Sequence, residues 1–282
     1  MLKQRVITAV VLLAMLLPAL FAANAWPFML LTMGLFGAGG WEWGRLNGCS
    51  AAISCLGGVC CVTTCLHLVQ AGWVAQTSAQ FWLLAGSIWV LLGSWMLQRG
   101  VAGWILWPRV LRWLGGLGLL VLAWLALAQA HQRGVNFLLS VLVLVWAADI
   151  FAYFFGRSLG GHWFRLKLAP SISPGKTWEG AIGGAFGVLL VSVAWVEFDR
   201  HQAITSLSFF GLIWSQGWYV AVPAAMFMTI MSVVGDLVES LVKRSAGVKD
   251  SSGLLPGHGG VLDRVDALLP TLPLAMMLVA WI

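Results

Sequence analysis

Long apolar runs succeed one another along this chain with little polar sequence between them. Runs of spanning length fall near residues 6–23, 26–41, 51–74, 81–98, 113–130, 135–156, 178–196, 218–240 and 262–282. A bilayer core about 30 Å thick needs roughly 20 such residues for each helical crossing. Backbone groups inside it meet no water, so a helix that bonds to itself is the default solution. The pattern predicts an all-α polytopic membrane protein with about nine transmembrane helices and no soluble domain. Composition agrees: the chain is 60% hydrophobic and only 9% charged, against about 25% charged for a soluble domain. Its 18 Trp suit a protein with many residues at the membrane interface. Two runs are less regular, because 26–41 is short and Gly-rich and the last is interrupted by Pro270 and Pro273.

The first run follows Lys3 and Arg5 and ends near Ala-Asn-Ala, so it reads as a signal peptide or as a retained first helix. The hydrophobicity that continues behind it favours the helix. Charge then orients the chain. With Lys3 and Arg5 in the cytoplasm and nine crossings, 14 of the 16 basic residues fall on the cytoplasmic side, and only Arg133 and Arg200 lie outside. Such a bias is the positive-inside pattern. It places the polar loops 157–177 and 241–261 on one face. The five cysteines, Cys49, Cys55, Cys60, Cys61 and Cys65, lie in one apolar stretch without metal spacing and read as small helix residues. No internal repeat suggests a two-fold transporter.

Two constellations carry the polar chemistry. In the first, Asp149, Tyr153 and Arg157 are spaced four apart, so they share one helix face. An acid within a spanning run is costly and points to function, with helix-packing ion pairing as the plainer alternative. Ser173, Pro174 and Gly175 then form a turn, Lys176 follows, and a helix starts at Trp178. Backbone N–H groups at a helix start, with a lysine beside them, favour phosphate. Gly175-Lys176-Thr177 is not a P-loop, since the spaced first glycine and the preceding strand are absent. The plainer reading is an interfacial lysine among lipid headgroups.

In the second, Asp236, Glu239, Ser240 and Lys243 make one stripe of a helix. Asp263, Arg264 and Asp266 stand at the head of the last run. Between them, His258 is flanked by Gly257, Gly259 and Gly260, glycines that allow positive φ or close backbone approach to a ligand. Residues 240–266 hold 7 of the 26 charged residues, Lys249 and Asp250 among them. Acids on neighbouring helices with bases around them suit a divalent cation and phosphates, since Mg²⁺ takes one or two carboxylates and completes its shell with water and phosphate. No Ser-His-Asp or Cys-His arrangement calls for a covalent enzyme intermediate. The membrane setting points to a lipid as one substrate.

The run from Ser240 to Asp266, SLVKRSAGVKDSSGLLPGHGGVLDRVD, resembles the signature of the phosphatidate cytidylyltransferases, also called CDP-diacylglycerol synthases. AADIFAYFFGR and SISPGKTWEG resemble that family's middle segments, so the likeness covers residues 145–282, and the N-terminal half matches in hydropathy only. Gly175 departs from the pattern, where lysine is as common. The resemblance implies an integral enzyme of the inner membrane, if bacterial, that makes CDP-diacylglycerol and pyrophosphate from CTP and phosphatidate at the cytoplasmic face. It implies an N-terminal transmembrane region, 1–134, and a catalytic region, 135–282. Mg²⁺ is the implied cofactor, with a second ion such as K⁺. Asp236 and Asp263 are the implied metal ligands, Asp149 supports them, and Asp266 and Asp250 are second choices. Lys243, Arg244, Lys249, Lys176 and Arg264 are assigned to the CTP phosphates and the lipid headgroup, with Ser173 in the binding turn. His258, Gly259 and Gly260 shape the phosphate loop. A homodimer is implied by family analogy alone, and no nucleic-acid partner is expected. Rival readings are another CTP-dependent lipid kinase or transferase and a cation-coupled transporter that uses Asp149 and Asp236; the CDP-alcohol phosphotransferase pattern is absent.

Overall fold

Each apolar run is helical over most of its length in the computed structural model, which describes residues 2–202, 204 and 206–282. The helices are α1 (Leu2–Leu20), α2 (Trp26–Leu46), α3 (Ala51–Gln70), α4 (Ala79–Ile105), α5 (Arg109–Arg133), α6 (Val135–Leu159), α7 (Trp178–His201), α8 (Phe209–Ser215), α9 (Trp218–Ser245), α10 (Leu262–Val265) and α11 (Leu268–Val279). Among the described residues the only β pairing is two isolated bridges, Ala169–Ser173 and Leu255–Gly259, one in each polar loop. Among the described residues, seven helices, α1, α3, α4, α5, α6, α7 and α9, are long and apolar enough to cross a membrane. Two of the nine expected spans fall short of that. α2 is rich in glycine and carries Glu42 and Arg45, and the last run is divided into the four-residue α10 and the 12-residue α11.

Local chemistry sets several helix starts. Ser50, Ser78, Thr177 and Ser208 each accept the N–H of the residue three positions on, which satisfies one of the orphan donors of the first turn. Between the helices, small residues let backbones approach, as they do where helices pack in lipid. α2 lies on α3 and α6 lies on α7. A Cβ on Gly58 would sit 2.7 Å from the Gly37 carbonyl, and one on Gly184 would sit 2.9 Å from that of Ala148. α9 runs between α4, α7 and α11, and it buries Ala221, Ala225, Met228 and Leu241 completely.

The bundle has two chemically distinct ends. At one, Arg5 Nε donates to the Gly257 carbonyl (2.9 Å) and Lys176 meets Asp236, so the start of α1, both polar loops and the end of α9 gather there. At the other, His131 sits 3.1 Å from the Leu20 carbonyl, and Asn136 bonds Asp199 and the Ser206 carbonyl. Arg133 and Arg200 belong to this second end, opposite Arg5, Lys176 and Lys243.

Candidate active site

The polar end begins with close packing. α6 and α7 touch through Gly156 and Gly180, where a Cβ on Gly180 would lie 2.9 Å from the Ala152 carbonyl. Above this contact the 168–176 loop folds back on itself. Leu168 N–H donates to the Lys176 carbonyl, Ser173 N–H to that of Ala169, and Lys176 N–H to that of Ser173. Ser173 thus forms the corner that presents Lys176. Thr177 then caps α7, which starts at Trp178 as its sequence predicts.

These elements and α9 enclose an open cleft of about 380 Å³. Asp149, Tyr153, Arg157, Lys176 and Asp236 line it, so the expected face of α6 does converge on α9. Lys176 Nζ lies 2.6 Å from Asp236 Oδ2, and Ser240 Oγ donates to Asp236 Oδ1 at 3.2 Å. Arg157 donates to the Tyr153 hydroxyl at 2.8 Å.

The α9 stripe divides. Asp236 turns to the cleft, whereas Glu239 and Lys243 belong to a second, more buried cluster. Lys243 Nζ lies 2.5 Å from Glu239 Oε2 and 2.5 Å from Asp263 Oδ1. Only the Asp263 contact has hydrogen-bond geometry. The other oxygen of Asp263 accepts Ser251 N–H (2.9 Å), Ser251 Oγ (2.9 Å) and Gly260 N–H (2.7 Å). Burial opposes ionisation of Asp263, but Lys243 and these N–H donors outweigh it and hold the carboxyl below the usual carboxylate range. Asp266 differs. Burial first, then the negative charge of Asp236, push its carboxyl up to about 7, and Asp149 adds to the push. Asp149, Asp236 and Asp266 therefore feel one another, while Asp263 is held by its own lysine. Among the described residues, no three His, Cys, Asp or Glu side chains converge closely enough to hold a metal ion by themselves.

The glycine-rich loop has work to do inside the protein. Gly257 and Gly259 sit at φ 78° and 82°, the left-handed region that glycine enters without penalty. A Cβ on Gly259 would lie 2.6 Å from Asp263 Oδ2, and one on Gly260 would collide with Ser251 Oγ and Glu42 Oε1. Leu255 and Gly259 close the turn backbone to backbone at 2.8 Å, and His258 N–H donates to the Leu255 carbonyl at 2.8 Å. The His258 Nδ1 atom is buried without a partner. Lys249, Asp250 and Arg264 are exposed at the rim. Arg244 reaches the Ile172 and Val248 carbonyls at 3.4 Å and so links the two polar loops.

Two acids absent from the expected site hold these loops in place. Glu179 is fully buried, and its Oε1 accepts the N–H groups of Gly161, Trp163 and Phe164. Glu42 is also fully buried; it accepts from Ser252 Oγ, Val261 N–H and Leu262 N–H, and Ser251 Oγ lies 3.2 Å from its Oε2. Both are acids in or beside apolar runs, the signal that singled out Asp149.

Residues 3–282 match a family model described as the cytidylyltransferase family. The chain is 38% identical over 282 residues to a phosphatidate cytidylyltransferase of Pseudomonas aeruginosa, which covers 97% of this chain and 95% of that protein. It is 35% identical over 297 residues to one of Haemophilus influenzae, covering 97% and 96%. A third, from Brucella abortus, is 40% identical over 187 residues, 66% of this chain and 60% of that protein.

Proposed function

This chain belongs to the cytidylyltransferase family, and we infer from that premise that it transfers the cytidylyl group of CTP to phosphatidate, yielding CDP-diacylglycerol and pyrophosphate. It is a membrane-embedded nucleotidyltransferase of phospholipid biosynthesis. The observation that carries the residue assignment is the cleft in which Asp149, Lys176 and Asp236 meet at the end of spanning helices. Charged groups of both signs at that depth are costly unless they serve a ligand or each other.

The reaction joins a phosphate oxygen of phosphatidate to the α-phosphorus of CTP and breaks the bond to pyrophosphate. Its transition state spreads negative charge over phosphate oxygens, so positioned cations are the main protein contribution. Lys176, at the mouth of the cleft, and Lys243, Arg244, Lys249 and Arg264, around the second loop, are the groups assigned to that charge. Lys176 and Lys243 rest on carboxylates until phosphate competes for them. The 168–176 corner with Ser173, and the turn carrying His258, Gly259 and Gly260, hold these cations on a folded backbone.

The donor set fits a divalent cation. Asp149, Asp236 and Asp266 concentrate hard oxygen ligands, and burial, with the neighbouring Asp236 charge, raises the Asp266 carboxyl to about 7. Mg²⁺ prefers few carboxylates plus water and phosphate, so it needs no closed protein cage. Asp236 and Asp263 are the proposed ligands, with Asp149 and Asp266 supporting and K⁺ as a candidate second ion. Asp263 Oδ1 now accepts from Lys243, so Asp263 would serve an ion only in exchange for that contact. Bound there, Mg²⁺ supplies positive charge to the reacting phosphates.

Nine crossings with the polar end in the cytoplasm complete the proposal, supported by the basic-residue count and by the supply of CTP on that side. Radiolabelled CTP tests it. Lipid-extractable cytidine label is expected only with phosphatidate, lost in EDTA and restored by Mg²⁺. Label that stays water-soluble under all conditions overturns the reading.

A further inference from the structure

Glu42 is a buried acid that the reaction as described does not use. It sits near the end of α2, and nothing of it is exposed, so it cannot touch CTP or lipid. Its Oε1 accepts Ser252 O–H (2.5 Å) and Val261 N–H (2.9 Å), and its Oε2 accepts Leu262 N–H (2.8 Å) and lies 3.2 Å from Ser251 Oγ, whose single proton can serve either Glu42 or Asp263. One carboxylate therefore ties together both ends of the glycine-rich loop. Ser251 Oγ also lies 2.9 Å from Asp263 Oδ2, so a single hydroxyl links Glu42 to that acid. Gly260 fits between them because it has no Cβ to strike Glu42 and Ser251.

We propose that Glu42 is a positioning residue for cytidylyl transfer: it clamps the 251–262 loop against α2 and thereby fixes Asp263 and the lysine that Asp263 holds. A carboxylate suits the position because two backbone N–H groups and the Ser252 hydroxyl converge on its two oxygens, with the Ser251 hydroxyl beside them. An amide cannot replace it. Whichever way a Gln side chain is turned, its NH₂ faces a backbone N–H, that of Val261 or that of Leu262. The loop then loses one contact and gains a repulsion on one side. Through this carboxylate the proposal makes the 251–262 loop depend on α2 of the N-terminal region. The catalytic half of the proposal rests on the function inferred above; the clamp does not.

The test is Glu42→Gln in the full-length, detergent-purified protein, with two readouts. Amide exchange of 251–262, measured without substrate, is expected to speed at least about tenfold, the scale of one lost bond to a charged group, while the buried turns of α9 stay as protected as in the wild type. Turnover is expected to fall at least about tenfold in kcat, with KM for CTP within about twofold. A general loss of folded protein would lower the active fraction but would not speed exchange in this segment alone. If Glu42→Gln fails to fold, Ser252→Ala, which removes one donor and keeps the carboxylate, carries the test with a smaller but similarly located effect. Unchanged exchange in 251–262 overturns the clamp, and faster exchange with wild-type kcat overturns the positioning role. If the wild type itself lacks the transferase activity, the function fails, and the exchange result still decides the clamp.

Discussion

Lys243 is the cation on which the second cluster depends. Its side chain is 12% exposed, and those of Glu239 and Asp263 are 4% and 6% exposed. Lys243→Met keeps most of the volume and removes the charge. Breaking a buried ion pair by deleting one partner costs about 3–5 kcal/mol, because the other charge stays buried. Asp263 keeps three donors, Ser251 N–H, Ser251 Oγ and Gly260 N–H, so the low end, about 3 kcal/mol, is expected here. Asp263→Asn and the double variant complete a cycle. Since Lys243 and Asp263 meet in one hydrogen bond, the coupling should be about 1.5–3 kcal/mol, and the double variant should be less damaged than the sum of the singles. The assay is thermal unfolding in detergent at one fixed scan rate, read by intrinsic Trp fluorescence. The pH sign follows from Asp263. Its carboxyl is held below its ordinary value, so the stabilisation is present above about pH 4 and is lost as pH falls through the lower folded value. The gap between wild type and Lys243→Met should therefore narrow in acid. A coupling below about 0.5 kcal/mol, or a gap that widens in acid, refutes the argument.

Asp236→Asn should abolish CTP:phosphatidate activity with little loss of stability, because Asp236 is partly exposed and bonded only to Lys176 and Ser240; a variant near wild-type activity removes Asp236 from the site. Magnesium affinity, measured as a thermal shift without CTP or lipid, should tighten as pH rises from about 6 to 8 and level off above. The Asp266 carboxyl is raised to about 7, and its loss of a proton adds negative charge beside Asp236, so a pH-independent shift places the metal away from Asp266. In the metal-free protein the same raised carboxyl contributes stability that declines as pH rises from about 4 to 7. Gly184→Val should cost about 1–3 kcal/mol by forcing α6 from α7, since its Cβ would meet the Ala148 carbonyl at 2.9 Å, whereas Gly118→Ala, with open space around it, should be near neutral. Equal effects from the two would mean that the α6–α7 contact is not close-packed.

Much of the fold and part of the site were legible because their signals are local. Apolar length marked every long helix, and four-residue spacing put Asp149, Tyr153 and Arg157 on one face. The same spacing failed for the α9 stripe. Asp236 faces Lys176 across the cleft, while Glu239 and Lys243, a turn further on, meet Asp263 in the second cluster. Neighbouring helices, not the period, decide which side of a stripe meets which partner. The glycines near His258 suggested an open phosphate loop. Two of them also make room for Asp263 and Glu42.

The sequence by itself determined the membrane character, the helices, the grouping of basic residues and the family signature, because hydropathy, periodicity and a contiguous motif all reside in short stretches of chain. Only the tertiary structure decided that Lys176 closes on Asp236 and that Glu42 holds a loop 209–220 residues away. Such contacts depend on how close helices can come, through Gly156, Gly180 and Gly260, and no local pattern encodes which distant donors a buried carboxylate will find.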